Sequence, residues 1–319
     1  MLIEYNGKKE EWNNAISNYS EFDFYSLYEW GEYKKKENWI IKRYKFINKN
    51  DENLYFQLLI KKKFFLKLIW IPGGLLGKID NNINELIGEF KKLFKGFFIV
   101  RISFSKKFKD SDYKILKQNF TKINNKSFAN KTMLLTLPNT TEELKIKLSR
   151  NWRHNYKRSL KYKNKIVPYN SKMFNNILEV YKDMENNKNI AKIYSPYELN
   201  SLLNCMNDYI TTRVILNDNN DILSFRSVLI YKNKAWDFLA ATSSKGRKNY
   251  SSYFNTFEIL KHCIQEKVNN YDLSGIDMEN NIGVYNFKKG TGSFEIKKLG
   301  LWHYSNSYII NKLIKFINF

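Results

Sequence analysis

The chain has 319 residues and a mass of 38.3 kDa, enough for about two domains at roughly 150 residues each. Hydrophobic residues make up 43% and aromatics 16%, with four Pro and thirteen Gly, which excludes disordered, collagen-like and linker-rich chains. Lys+Arg 54 against Asp+Glu 31 gives +23, an excess that favours polyanionic partners: RNA, phosphorylated substrates or an anionic membrane surface. Eight of the basic residues are Arg and 46 are Lys, in a chain also rich in Asn, Ile, Tyr and Phe. An AT-rich genome favours the same residues, so charge alone does not choose among those partners.

In the first part, helical spacing covers Asp23–Lys36, and Trp39–Phe46 and Leu54–Ile60 read as strands. Leu66–Ile71 is a third strand, which Pro72-Gly73-Gly74 is expected to end. Helix Asn82–Phe94, strand Phe97–Phe104, helix Asp110–Asn119 and strand Lys131–Leu137 follow. This mixed order predicts an α/β (α+β) fold. Pro138 marks the expected domain boundary. Thr140 and Thr141 then cap a helix with Leu144, Leu148, Trp152, Tyr156 and Leu160 at every fourth position. Its other faces carry Arg150, Arg153, His154, Lys157, Arg158 and Lys161, which suit RNA phosphates or simply solvent.

The second part restarts with strand Lys165–Tyr169 and helices Met173–Glu185 and Pro196–Met206. Strands Thr211–Leu216, Ile222–Tyr231 and Ala235–Ala241, helix Tyr250–Val268 and strand Tyr271–Leu273 come next. Asn306–Phe319 reads as an amphipathic helix whose apolar positions suit the core or, alternatively, a membrane surface.

Cys205 and Cys263 stand far apart, and only His154, His262 and His303 occur, so neither a disulfide framework nor a metal site is expected. The start carries acids without an apolar core, and Leu66–Leu76 is well short of the roughly 20 residues that span a bilayer. A cytoplasmic protein is expected. There is no G-x-S-x-G, H-E-x-x-H or P-loop.

The stretch that carries chemistry is Tyr271–Tyr304, where Gly275, Gly283, Gly290 and Gly292 punctuate an expected loop centred on Phe287-Lys288-Lys289. Glycines let backbone approach a ligand closely, and a lysine there stabilises an oxyanion or phosphate. A glycine-bearing turn with solvated lysines fits the same composition.

These residues resemble the C-terminal signature of the FemABX aminoacyltransferases. That signature runs Y-D-[apolar]-x-G, then G-[apolar]-x-x-F-K-x-G-[apolar]-G, then G-x-[WF]. Here the matching runs are Tyr271–Gly275, Gly283–Gly292 and Gly300-Leu301-Trp302. Ser26–Lys34 with Trp39 looks like the family's N-terminal Q-S-x-x-W-x-x-x-K…G-W segment. Trp70–Gly74 is similar to its P-x-G-P strand end, and Trp152–Leu160 to its T-R-x-N-I-R-K-A helix. The segments span nearly the whole chain in order.

The resemblance implies two tandem GNAT-like (acyl-CoA N-acyltransferase-like) domains, 1–138 and 139–305, without the long helical arm of some members. The C-terminal helix 306–319 is expected to pack back on the first domain. It implies transfer of an amino acid from aminoacyl-tRNA to the stem peptide of a peptidoglycan precursor, either UDP-MurNAc-peptide or a lipid-linked form. Lys288 is then the oxyanion stabiliser and Phe287 shapes the site. Lys34 contacts substrate phosphate, with Trp30, Asp272, Gly290 and Gly292 also at the substrate. Arg150, Arg153, Lys157, Arg158 and Lys161 are the residues expected to meet tRNA. No metal, no separate cofactor and no DNA partner is implied, and contact with the inner membrane face would be peripheral.

The Asp-Pro that often follows the family's equivalent of Val100–Phe104 is absent, Tyr25 replaces a Gln, and Leu75 replaces a Pro, departures that bear on the acceptor. Two rival readings remain: an acyl-CoA N-acyltransferase acting on a sugar or amine of surface polysaccharide, and a basic RNA- or membrane-binding protein without catalysis. Acetyl-CoA enzymes carry R/Q-x-x-G-x-G/A around the pyrophosphate. Ser244–Tyr250 is the candidate here and lacks the second glycine.

Overall fold

The computed structural model describes residues 1–50, 52–79, 82–123, 130–188 and 194–313. In chain order the strands are β1 (Leu2–Glu4), β2 (Ile40–Ile47), β3 (Asn53–Lys63), β4 (Leu66–Gly73), β5 (Phe97–Lys107), β6 (Thr121–Ile123) and β7 (Lys131–Thr136). They continue as β8 (Lys165–Pro168), β9 (Ile210–Leu216), β10 (Ile222–Tyr231), β11 (Lys234–Thr242), β12 (Asn270–Gly275) and β13 (Phe294–Ser305). The helices are α1 (Lys9–Ser17), α2 (Tyr28–Lys36), α3 (Asn82–Leu93), α4 (Asp110–Asn119), α5 (Thr141–Lys147) and α6 (Arg150–Ser159). After them come α7 (Phe174–Lys188), α8 (Pro196–Cys205), α9 (Ser244–Lys248), α10 (Ser251–Gln265), α11 (Ile282–Lys289) and α12 (Tyr308–Leu313).

The fold divides into two units: Met1–Lys131 with Ile296–Phe319, and Thr132–Glu295. The sequence boundary at Pro138 falls later than this division because β7 pairs with β12, a strand of the second unit. Likewise 296–305, expected in the second domain, belongs to the first unit because β13 pairs with β5 and β6.

In the first unit the strands run in the order β1-β2-β3-β4-β5-β13, with β6 on β13. Only β4 and β5 are parallel, joined by α3. Period-two alternation puts Leu54, Phe56, Leu58 and Ile60 of β3 in one core with Val100, Ile102 and Phe104 of β5. Against them α3 lays Ile83, Leu86, Ile87 and Phe90, spaced i, i+3, i+4, i+7. Each such side chain contributes about 1.5–3 kcal/mol on burial. Buried hydrogen bonds hold α1 and α2: Asn13 Nδ2 donates to Glu29 Oε2 at 2.9 Å, and Trp12 Nε1 donates to the carbonyl of Ser26, just before α2, at 3.0 Å. Gln57 Nε2 donates to the carbonyls of Tyr25 and Leu27 at 2.8 and 3.1 Å. Ile310 of α12 packs on the Ile99, Ile123 and Leu301 cluster, which Leu66 and Leu68 also join. The tail positions Ile314 and Ile317 lie outside the described residues.

The second unit has the order β7-β12-β11-β10-β9-β8, with β11 and β12 parallel and joined through α9 and α10. Met133, Leu135, Leu144, Leu148, Trp152, Val228, Phe257, Leu260, Tyr271 and Leu273 form its core. The same strand–helix–strand module therefore occurs once in each unit. The helices α7 and α8 occupy the described part of 170–209, and no described helix is longer than the 15 residues of α7 and α10. Among the described residues, no helix is long and apolar enough to cross a membrane.

Two expectations are corrected. Strand β4 runs through Pro72 and Gly73 instead of ending before them. The β3 ladder stops at Leu59↔Trp70, so the missing Pro72 N–H faces an unpaired edge while β5 continues alongside. The single helix expected from Thr140 is two helices, broken at Leu148-Ser149. Leu148 turns extended and Ser149 becomes an N-cap, its Oγ accepting from Trp152 N at 3.3 Å. The apolar stripe therefore ends early: Leu144, Leu148 and Trp152 are buried, but Leu160 is exposed. Strands β1, β6 and β13 and helices α1, α9 and α11 were not expected from the sequence.

Lys106 and Asp112 form an ion pair at 2.9 Å with side-chain exposures of only 6% and 9%, pinning the end of β5 to α4. Asp112→Ala strands a buried ammonium and is expected to cost about 3–5 kcal/mol in urea unfolding. The apolar double replacement Lys106→Met with Asp112→Leu is expected to cost clearly less.

Candidate active site

The candidate site lies at the carboxyl end of β12, where it has parted from β11. Their parallel ladder pairs Lys234↔Asn270, Ala235↔Tyr271 and Trp236↔Asp272, and there it stops. Two side chains replace the missing rungs. Ser274 Oγ donates to the Asp237 carbonyl at 2.6 Å, and Asp272 Oδ1 accepts from Ser274 N at 2.8 Å while also accepting from Thr132 Oγ1. Ser274 sits in the left-handed region at φ +67°, and β12 rejoins β7 only at Gly275↔Thr132, after a register shift. Parted carboxyl ends of parallel strands are where open α/β sheets take ligands. In the first unit the corresponding pair stays in register from Leu66↔Phe97 to Gly73↔Phe104.

Lys288 meets the parted strands. Its Nζ donates to the Gly275 carbonyl at 2.8 Å, and the residue is 8% exposed. The expected loop around it is instead α11, whose last turn carries Phe287 and Lys288. The spacing of Tyr285 and Lys288 puts both on its buried face, and the helical Gly283 costs only about 1 kcal/mol relative to Ala. Thr291 Oγ1 and Ser293 Oγ both donate to the Lys288 carbonyl, at 2.7 and 2.8 Å, which fixes the helix end. Phe287 lies among Trp152 and Tyr253, with ring centroids 6.0 and 5.0 Å away, and the Arg226 guanidinium is 5.8 Å from its ring.

Arg226 and Asp237 form a buried cross-strand pair. One guanidinium nitrogen reaches both carboxylate oxygens, at 2.5 and 2.6 Å, and Tyr271 donates its hydroxyl to Asp237 at 3.3 Å. Burial works against the Arg226 charge, yet Asp237 outweighs it and holds the guanidinium above its usual range. Burial and then Asp237 push the Tyr271 phenol far up, so it stays a donor. The pair escaped the sequence reading, although a lone Arg in the apolar run Ile222–Tyr231 and a lone Asp in Ala235–Ala241 were visible signals.

The glycines serve packing. A Cβ on Gly290 would meet Trp152 Cδ1 at 2.9 Å and Ser149 Oγ at 3.1 Å, and the Gly290 carbonyl accepts from Ser149 N at 2.8 Å. Gly292, at φ +87°, lies against the Lys147 carbonyl. Asp272 likewise shapes the turn at Ser274.

Trp30 and Lys34 belong to the first unit, Phe287 and Lys288 to the second. Lys34 differs from its exposed neighbours Lys35 and Lys36. Its Nζ lies 4.4, 5.4 and 6.0 Å from the ring centroids of Tyr33, Trp30 and Trp70, where aromatic faces stabilise a cation. Trp30 is buried between Tyr25 and Phe24, and its Nε1 is buried without a hydrogen-bond acceptor. On α6, Arg150, Arg153, Lys157 and Arg158 are all exposed, and Arg158 stacks 4.2 Å over Tyr250. Lys161 is exposed too, but in the turn beyond the helix.

The candidate pyrophosphate segment is α9. Asp183 of α7 already occupies its start: Oδ2 accepts from Ser244 N at 2.6 Å, and Oδ1 accepts from Ser244 Oγ at 3.1 Å. The Ser244 N–H is the main reason that the Asp183 carboxyl is held below its usual range. Glu179 and Asp221 line the same cleft.

No family model matches the chain, and no curated protein matches it. Among solved structures, FemX superposes over 98% of this chain and 100% of its own, with a TM-score of 0.83 at 15% identity. The chain has the FemX fold. L-PGS from Bacillus licheniformis covers 97% of this chain with 96% of its own, at a TM-score of 0.58 and 9% identity. A tandem GNAT protein from the clavulanic acid biosynthesis pathway covers 96% with 98% of its own, at 0.54 and 7%. These identities make the likeness one of fold. With its two α/β units, the chain has the tandem GNAT-like architecture.

The glycine geometry is testable by thermal unfolding. Gly292→Ala is expected to cost about 1–3 kcal/mol, since it combines strained φ with a blocked Cβ. Gly283→Ala, where a Cβ would meet nothing within 4 Å, is expected to be neutral or to stabilise by up to about 1 kcal/mol.

Proposed function

We propose that this protein is an aminoacyltransferase of FemABX type, moving an amino acid from aminoacyl-tRNA to the stem peptide of a peptidoglycan precursor. One observation carries the proposal: in a chain with the FemX fold, a nine-tenths-buried Lys288 ammonium is held at the end of β12, where it has parted from β11. The acceptor amine attacks the ester carbonyl carbon, and the carbonyl oxygen gains a negative charge. Lys288 donates to that oxygen, with the Gly275 carbonyl fixing the direction of its ammonium. The intermediate collapses as the C–O bond to the tRNA ribose breaks, and the leaving oxygen takes the proton that the amine gives up. Phe287 packs beside the lysine. The exposed cations of α6 neutralise tRNA phosphates, and the ringed Lys34 takes a phosphate of the precursor. Charged tRNA is a cytoplasmic donor, so the proposal places the protein in the cytoplasm.

The rival acyl-CoA reading is supported by the likeness to the tandem GNAT protein. Against it stands Asp183, whose carboxylate takes up the Ser244 N–H at the start of α9, a backbone donor that a pyrophosphate would need.

The test is transfer of a radiolabelled amino acid from charged tRNA to precursor, run beside labelled acetyl-CoA. Lys288→Ala is expected to lower the rate by about 10²–10³, the usual cost of one oxyanion donor. Transfer from acetyl-CoA alone would establish the rival. Full activity of Lys288→Ala would remove Lys288 from the chemistry.

A further inference from the structure

We propose that the β3–β4 hairpin of the first unit docks the protein on the anionic surface of a lipid bilayer. The hairpin pairs Lys62↔Lys67 and Lys63↔Leu66, leaving Phe64 and Phe65 alone at its tip. They are 83% and 74% exposed. Phe97, half-exposed at the start of β5, meets Phe65 edge-on at 6.2 Å and extends the apolar surface. The start of α12 is tied to the same place. Asn306 Nδ2 donates to the Gly96 carbonyl at 2.8 Å and its Oδ1 accepts from Phe98 N at 3.0 Å, while Tyr308 and Ile309 remain about 70% exposed.

Two features point to a membrane. Lys62 and Lys63 on β3 and Lys67 on β4 flank the tip. Lys67 Nζ donates to the Lys95 carbonyl at 3.0 Å, Lys312 lies over the Tyr308 ring, and no Asp or Glu occurs in 61–68, 91–98 or 306–313. The acids on this side are paired: Lys92 engages Glu89 at 2.8 Å, and Glu4, which lines the same cleft, is held by Lys42 at 2.8 Å. Exposed aromatic and aliphatic groups ringed by lysines suit the boundary between acyl chains and anionic headgroups. The backbone supplies the second feature. Phe64 adopts φ +53°, a left-handed conformation that a bulky residue takes at a steric cost and that Asn or Gly would take more easily. Folding does not favour phenylalanine there. A bilayer does.

The surface is independent of Lys288 and of the proposed transfer reaction, so vesicle binding tests it directly. The full chain is expected to cosediment with vesicles of equal phosphatidylglycerol and phosphatidylcholine, weakly with phosphatidylcholine alone, and less as salt rises. The F64N/F65S variant is expected to bind the anionic vesicles about tenfold or more weakly. Its melting temperature is expected to equal or exceed that of the wild type, because Asn accepts the turn conformation. The K62E/K63E variant is expected to lose about tenfold or more as well. K172E/K182E, with the same charge change on exposed lysines of the second unit, is expected to bind nearly as well as wild type. Wild-type binding by F64N/F65S, or equal losses in the two charge variants, would overturn the proposal. So would a concentration-dependent dimer that F64N/F65S disperses, since the occupant would then be a second copy.

Discussion

The parallel ladder between β11 and β12 ends after three pairs, and the candidate site depends on that ending. Backbone groups that leave a ladder need partners, and here side chains supply them. Ser274 answers the Asp237 carbonyl, and Asp272 answers the Ser274 N–H. The parting is therefore stabilised in the folded ground state. Beneath it, the Arg226–Asp237 pair, 11% exposed on each side chain, sits where an apolar pair would pack more cheaply. Its geometric effect is to fix the strand from which the Asp237 carbonyl reaches Ser274, and so the carbonyl of Gly275 that receives Lys288.

The two units show how one module serves two ends. In the first, β4 and β5 remain zipped for eight pairs and the strand ends are occupied by their own chain: a Cβ on Gly73 would strike Ser26 Oγ, and one on Gly74 would strike Phe104. In the second, the strands part and a buried cation stands at the opening. A fold-level likeness to FemX or to a tandem GNAT protein does not distinguish these units. Hydrogen-bond register does.

Much of this was legible in the sequence. The alternation in β3 and the i, i+3, i+4, i+7 stripe of α3 gave their elements directly, because each buries one face on one core. The Phe287-Lys288 motif was found through its resemblance to a family pattern; composition alone admitted a solvated turn. Its helical state was hidden because two glycines and two lysines argue locally for a loop, whereas the burial of Tyr285 and Lys288 is decided by distant residues. Ser149 hid the break before α6 for a similar reason. A serine beside a continuous apolar stripe reads as helix until its hydroxyl is seen to cap Trp152. Asp183 gave no signal at all, since its partner Ser244 is sixty-one residues away.

The return of β13 to the first unit bears on the order of synthesis. The second unit is one continuous stretch, whereas the first waits for 296–305 to complete the edge of β5. As the chain leaves the ribosome, the second unit can finish while β5 still offers an open row of hydrogen-bonding groups rich in Phe, Ile and Val. The first unit, although made first, closes last, and the nascent chain is most exposed to misassociation through β5 during that interval.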